Sequence, residues 1–241
     1  MNNKATCKNC NSDFFGSYCN NCGQRKSVNK VTFSEISQDF IDTVFSVNAP
    51  LWVTIKALFL NPGKLFREYL AGKRKAFYKP VAFFVLITIA YIILFSLYDF
   101  DVNNPSQERE LKLIAQAEQS AFRNFNNLLF IYVFNLGFTI KLFFYKNYSL
   151  IEYITISFYI IGVYTLLLSV TTPIAYLGDF SLFMIPTVLM VLYLIYSFTS
   201  FFNKRDFFTI IKIIVAFAIS TVLFFPMAFA ISLLIVWLKT I

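Results

Sequence analysis

The sequence predicts an all-α membrane protein: about five transmembrane helices, preceded by amphipathic interfacial helices and a small N-terminal zinc ribbon. Three observations predict it. Hydrophobic residues make up 58% of the 241 residues and charged residues 14%, which is more apolar surface than one soluble core of this size can bury. Five long apolar runs follow Pro80, while all four cysteines and 12 of the 21 basic residues precede it. This composition excludes a disordered chain, a collagen-like rod and a secreted mini-protein. The net charge of +8 calls for an anionic neighbour: lipid headgroups, an acidic partner or nucleic acid.

Residues 1–27 form the first unit. Cys7 and Cys10, then Cys19 and Cys22, give two C-x2-C pairs eight residues apart. The chain has no histidine, so a metal held here takes four thiolates, the closed tetrahedral set of structural zinc. Iron fits the same cage. Two disulfides or free thiols are the rival readings, and a cytoplasmic location disfavours disulfides. Asn11 and Gly23 follow the two pairs and tolerate the left-handed backbone of a tight turn. Between the pairs, Asp13 to Tyr18 predicts a hairpin with Gly16 and Ser17 at its tip and Phe14, Phe15 and Tyr18 beside the metal. So short a unit depends on the metal to fold.

Residues 28–80 form the second, cytoplasmic unit of amphipathic helices. Thr32-Phe33-Ser34-Glu35 reads as a capping box, with Phe33, Ile36, Phe40, Ile41, Val44 and Phe45 on one helix face. A second helix places Leu51, Trp52, Ile55, Leu58 and Phe59 on one side. A third is bounded by Asn61 as N-cap, Pro62 in its first position and Gly72 after its end, with Leu65, Phe66, Tyr69 and Leu70 on a common face. Lys64 to Lys79 is basic and aromatic-flanked, the layout of a segment gripping anionic lipid, and Arg67, Lys73, Arg74, Lys75 and Lys79 are its candidate phosphate contacts. A protein partner suits the same surface. Nucleic acid is the weaker reading, because these charges are already required beside the membrane.

Residues 81–241 form the transmembrane domain, with spans at about 81–98, 128–145, 153–172, 182–202 and 213–237. Pro186 and Pro226 are candidate kinks. An 80-residue lead before the first span is not a cleavable signal peptide. With the N-terminus inside, 17 basic residues lie on the cytoplasmic side and four (Arg109, Lys112, Arg123, Lys239) opposite, which predicts a cytoplasmic N-terminus and a periplasmic C-terminus. The stretch Pro105 to Ser120 reads as a polar connector helix. Lys141 and Glu152, at neighbouring span ends, are a candidate intramembrane ion pair. Asn135, Thr139, Thr155, Ser157 and Ser169 are candidates for hydrogen bonds between helices.

The cysteine pairs, Asn61-Pro62-Gly63, Arg67-Glu68-Tyr69-Leu70-Ala71-Gly72-Lys73-Arg74 and Tyr78-Lys79-Pro80 together resemble an uncharacterised family of bacterial multi-spanning membrane proteins classed as a domain of unknown function. The P-G-x3-R-E-Y-L-x-G-K-R string is the specific part, and the spans agree in layout. The resemblance implies this architecture and a bacterial inner-membrane location, with no biochemical activity attached. That family tends to read N-Y-x-E-H after the second span; here Asn147 to Tyr153 keeps Glu152 and has Tyr153 in place of histidine.

Function follows by elimination and charge. Without histidine, a phosphate loop, a nucleophile elbow or a zinc-protease helix, no catalytic set is legible. The leading expectation is a non-enzymatic adaptor or scaffold whose zinc ribbon meets a protein or anionic-lipid partner. A small-solute or lipid transporter is the alternative, which a charged or broken midplane helix would favour.

Overall fold

The structure, a computed structural model, describes residues 4–26, 51–96, 120, 125–177 and 185–240. The capping-box helix expected from Thr32 lies outside the described residues, as does the polar connector except for Ser120, which is helical. Two short strands, β1 (Ala5–Thr6) and β2 (Asp13–Phe14), precede seven helices: α1 (Leu51–Leu60), α2 (Pro62–Leu70), α3 (Pro80–Phe95), α4 (Phe125–Phe143), α5 (Leu150–Leu177), α6 (Ile185–Phe202) and α7 (Phe207–Thr240).

Local sequence sets the boundaries. Asn61 caps α2 by accepting the Lys64 amide at 3.2 Å, and Pro62 occupies the first turn, where no amide is missed. The helix closes in a Schellman motif: the Gly72 amide donates to the Tyr69 carbonyl, the Lys73 amide donates to the Glu68 carbonyl, and Gly72 has φ +108. Ser149 and Glu152 form a reciprocal capping box on α5. The Ser149 amide donates to Glu152 Oε2 at 2.7 Å, and the Glu152 amide donates to Ser149 Oγ at 3.3 Å. Asp206 caps α7 by accepting the Thr209 amide and hydroxyl, so that helix starts at Phe207, six residues before the expected span. The described α6 begins at Ile185, which puts Pro186 in a first turn instead of at a kink; Pro226 does lie inside α7.

Three helices are long and apolar enough to cross a membrane: Leu150–Ile174, Ile185–Phe202 and Phe207–Leu238. Pro80–Phe95 and Leu128–Phe143 are apolar but shorter. Helices α3 and α4 pack on α5, α7 packs on α4 and α6, and α2 packs on α6. Outward-facing Ile93, Phe138, Ile174, Leu192, Val222 and Phe225 are exposed, an apolar belt that suits hydrocarbon and not water.

One end of the bundle is the organising end. Fully buried Tyr159 of α5 gathers the rings of Phe66, Tyr69 and Phe83 with centroids 5.7 to 6.1 Å away, and its hydroxyl donates to the Tyr78 carbonyl. The Tyr78 amide in turn donates to Thr54 Oγ1 at 2.7 Å, tying α1 to the head of α3. Phe144 stacks on Phe202 at 4.4 Å, and Tyr148 stacks on Phe201 at 4.6 Å, which joins the α4–α5 and α6–α7 turns at this end. The face of α2 is as expected, with Leu65, Phe66 and Tyr69 buried. That of α1 is not: Thr54 and Leu58 are buried, while Trp52 is 77% exposed and Phe59 42%. Helix α1 is apolar nearly all round, so periodicity cannot say which side meets protein.

Side-chain hydroxyls also depart from expectation. Thr139, Thr155, Ser157 and Ser169 donate to carbonyls four residues back on their own helices. Bonds between helices come from Tyr132 to Thr221 at 3.0 Å, Tyr91 to Thr172 at 3.2 Å and Asn135 to the Met227 sulfur at 3.7 Å.

The tightest joint is α2 against the end of α6. A Cβ at Gly63 would lie 2.2 Å from the Ser200 carbonyl carbon and 2.4 Å from the Phe201 nitrogen. Both are backbone atoms of a helix that cannot retreat alone. Gly63→Ala is therefore expected to destabilise the folded protein by about 3 kcal/mol or to prevent folding. Thermal unfolding in detergent checks this; an unchanged midpoint would mean that α2 does not seat here.

Candidate metal centre

The four cysteines converge. Their sulfurs all lie within 4.8 Å of one another, with Cys7 Sγ to Cys22 Sγ at 3.5 Å and Cys10 Sγ to Cys19 Sγ at 3.6 Å, and all four are free thiols. A tetrahedral ion with metal–sulfur bonds of about 2.3 Å needs sulfurs roughly 3.8 Å apart, so the donor set fits a metal such as zinc. The first and third cysteines are buried, each 2% exposed, which closes one side of the site.

Two matched turns produce this convergence. In the first, the Cys7 amide donates to the Ser12 carbonyl and the Asn11 amide to the Cys7 carbonyl; in the second, the Cys19 amide donates to the Gln24 carbonyl and the Gly23 amide to the Cys19 carbonyl. Asn11 and Gly23 sit at φ +58 and +69, as their place after each pair predicts. The sheet differs from expectation. Each turn is closed by its own flanks, Ala5 and Thr6 on Phe14 and Asp13, and Tyr18 on Arg25, so no hairpin spans Asp13 to Tyr18. Only Phe14 packs against the cysteines; Phe15 and Tyr18 are more than half exposed. The Lys4–Asp13 ion pair at 2.8 Å and the Thr6 hydroxyl on Asp13 hold the carboxyl of Asp13 below its ordinary range.

The thiols are not equivalent. The Ser12 hydroxyl, 2.6 Å from Cys10 Sγ, and the Ser12 amide lower the Cys10 pKa to about 6. Burial raises Cys19, but the amides of Cys22 and Asn21 outweigh it and the net shift is downward. Burial pushes Cys22 up to about 11. A cation that replaces the thiol protons removes this inequality by charging all four sulfurs.

The site is seated on the rest of the protein by a residue that sequence reasoning missed. Buried Gln24 donates from Nε2 to the Gly72 carbonyl at 3.1 Å and accepts the Lys75 amide on Oε1 at 3.1 Å. Both groups belong to the turn between α2 and α3. No local pattern marks Gln24, although its place directly after Gly23 puts it on the rim of the second cysteine turn.

The basic residues of that turn have separate tasks. Arg67 donates from Nη1 to the carbonyls of Ser200 and Phe201, the latter at 2.9 Å, and so caps α6. Lys73 pairs with Glu68 at 3.0 Å, across the Schellman turn. The Arg74 guanidinium lies 6.0 Å from the Tyr69 ring centre. Lys75 is exposed beside Gly23, and Lys79 is the half-buried N-cap of α3. At the α4–α5 turn, Lys141 donates to the Tyr145 and Tyr148 carbonyls, and Glu152 closes the capping box with Ser149. In place of the expected Lys141–Glu152 ion pair, the two side chains make separate stitches of one turn. The S-x-x-E spacing of Ser149 and Glu152 was the signal for this.

These features define a largely helical chain with three helices fit to span a membrane and a four-cysteine cluster able to hold a metal ion. Residues 49–92, from just before α1 to within α3, match a family described as a protein of unknown function, DUF3667. No curated protein and no solved structure matches the chain.

Gln24→Ala is expected to leave metal content unchanged while freeing the Lys75 amide. Hydrogen exchange on the full-length protein should show faster exchange at Lys75, with a stability loss of about 1–2 kcal/mol. Unaltered exchange would show that Gln24 does not hold the turn.

Proposed function

We propose that this chain is a non-enzymatic adaptor of the bacterial inner membrane, with five spans, a cytoplasmic N-terminus and a zinc ribbon that presents a docking surface at the membrane. The observation that carries the reading is the convergence of four free thiols on a unit bonded, through Gln24, to the basic turn ahead of α3. A closed four-sulfur set leaves no open coordination position for chemistry, so the metal is structural. Zinc is favoured over iron because four-cysteine pairs on short turns are its usual structural cage.

The orientation rests on charge and packing together. The basic turn, Lys141 and Lys146, and Lys204, Arg205 and Lys212 all belong to the end of the bundle that carries the ribbon. The positive-inside rule assigns that end to the cytoplasm, where thiols stay reduced. Five spans then alternate in direction, with α3 and α4 at the short end of spanning length. Anionic headgroups suit Lys75 and its basic neighbours, and a protein partner suits the exposed side of the ribbon, where Phe15 and Tyr18 lie open.

Full-length protein purified under reducing conditions is expected to carry one zinc per chain, and Cys10→Ser to carry less than a tenth of that, by elemental analysis. Crosslinking in native membranes should recover a partner with the wild type that the Cys10→Ser protein loses. A metal-free wild type, or thiols labelled from the periplasm, would overturn the reading.

A further inference from the structure

Away from the cysteines, a cleft of about 510 Å³ opens where α2 meets the α6–α7 turn. Asn61, Arg67, Thr199, Ser200, Asn203 and Arg205 line it. Two guanidiniums and two side-chain amides line one space with no carboxylate among them, and the two hydroxyls beside them are spent inside the protein, Thr199 on the Ile195 carbonyl and Ser200 on Asn61 Oδ1. The nearby acids are committed elsewhere: Glu68 to Lys73, and Asp206 to the amide and hydroxyl of Thr209. Arg67 uses Nη1 on the α6 carbonyls, and the donors at Nε and Nη2 belong to the same rigid plane, so its position is fixed before any ligand arrives. Asn203 holds a left-handed backbone at φ +52 in the Schellman turn that ends α6, where the Lys204 amide donates to the Thr199 carbonyl. That turn sends Arg205 back toward the cleft. A planar fork on each of two arginines, with the side-chain amides of Asn61 and Asn203 beside them, is the recognition chemistry of a phosphoryl oxyanion.

We propose that this cleft binds a phosphoryl group, a ligand distinct from the metal and from any partner of the ribbon. The surroundings favour a phosphate borne by a lipid. Leu60, directly before Asn61, is 66% exposed, and Phe207 and Phe208, just after Arg205, are 72% and 75% exposed. Apolar side chains at both chain borders of a cationic cleft match a headgroup with acyl chains attached.

Arg205 is solvent-exposed, so Arg205→Gln leaves the fold intact, whereas loss of Arg67 would uncap α6. Lys204→Gln removes the same charge one residue away, outside the cleft lining. Native mass spectrometry of the full-length protein would be run with phosphatidic acid, with phosphatidylcholine and with inorganic phosphate. Retention of phosphatidic acid that weakens about tenfold in Arg205→Gln and less than about twofold in Lys204→Gln supports the site with a lipid source. The same dependence for inorganic phosphate, without phosphatidic acid retention, supports it with a soluble source. Equal effects of the two substitutions, preference for phosphatidylcholine, or no retention of any probe overturns it.

Discussion

A helix that stops at the edge of a bilayer leaves four carbonyls without partners, and this fold is arranged around satisfying them. At the end of the molecule that carries the cysteines, several carbonyls at helix ends and in turns meet a side-chain donor from another element. Arg67 takes those of Ser200 and Phe201 at the end of α6. Tyr193 and Tyr196 of α6 donate to Leu58 and Leu60 at the end of α1. Tyr153 donates to Phe144 after α4, Tyr159 to Tyr78 before α3, and Gln24 to Gly72 after α2. Each bond is modest by itself, about 1 kcal/mol, but leaving a buried carbonyl unmet costs more, about 1–3 kcal/mol. The exchange is mutual between α1–α2 and α6, since each supplies donors to the other's end. That reciprocity holds the front of the chain on the bundle with few ion pairs.

The P-G-x3-R string acquires a physical meaning from the same constraint. Pro62 starts α2 without wasting an amide, Gly63 lets its backbone touch that of α6, and Arg67, one turn further on, reaches the carbonyls that the close approach brings within range. Any side chain at position 63 would push the helices apart and leave Arg67 short of its targets. The rest of the string closes the helix and turns the chain: Glu68 and Lys73 pair across the Schellman turn, and Gly72 supplies both its left-handed residue and the carbonyl on which Gln24 rests.

Much of this was legible, and what was not shares one cause. The cysteine turns, the left-handed Asn11 and Gly23, the Asn61 cap and the Gly72 stop are local signals, written within six residues of where they act. Apart from Tyr153 on Phe144, nine residues apart, the carbonyl donors act over sequence separations of 48 to 136 residues, so no short window of the sequence contains both partners. Tyr193, Tyr196 and Tyr159 look like ordinary apolar filling in a chain that is 20% aromatic. Lys141 and Glu152 are the opposite case. Their partners are local, Glu152 in a capping box and Lys141 on the carbonyls of the turn that follows it, although charges near hydrocarbon suggest a pair between spans. Serine and threonine are local as well, because a hydroxyl in a buried helix has a nearer acceptor in its own backbone than on a neighbouring helix.

The cysteine unit itself sits within this logic. Its buried core consists of Cys7, Phe14 and Cys19, far too little apolar area to outweigh the entropy of ordering more than twenty residues. An ion held by its four sulfurs would supply the missing stabilisation. Gln24 accepts the Cys19 amide on its backbone carbonyl while its side chain bridges Gly72 and Lys75, so one residue belongs both to the second cysteine turn and to the joint with the bundle. Opening that turn would swing the Gln24 side chain away from the Lys75 amide and from the Gly72 carbonyl, which would keep only the Arg74 amide of its own turn. A single backbone loop therefore carries both one wall of the cysteine cage and the side chain that makes the joint.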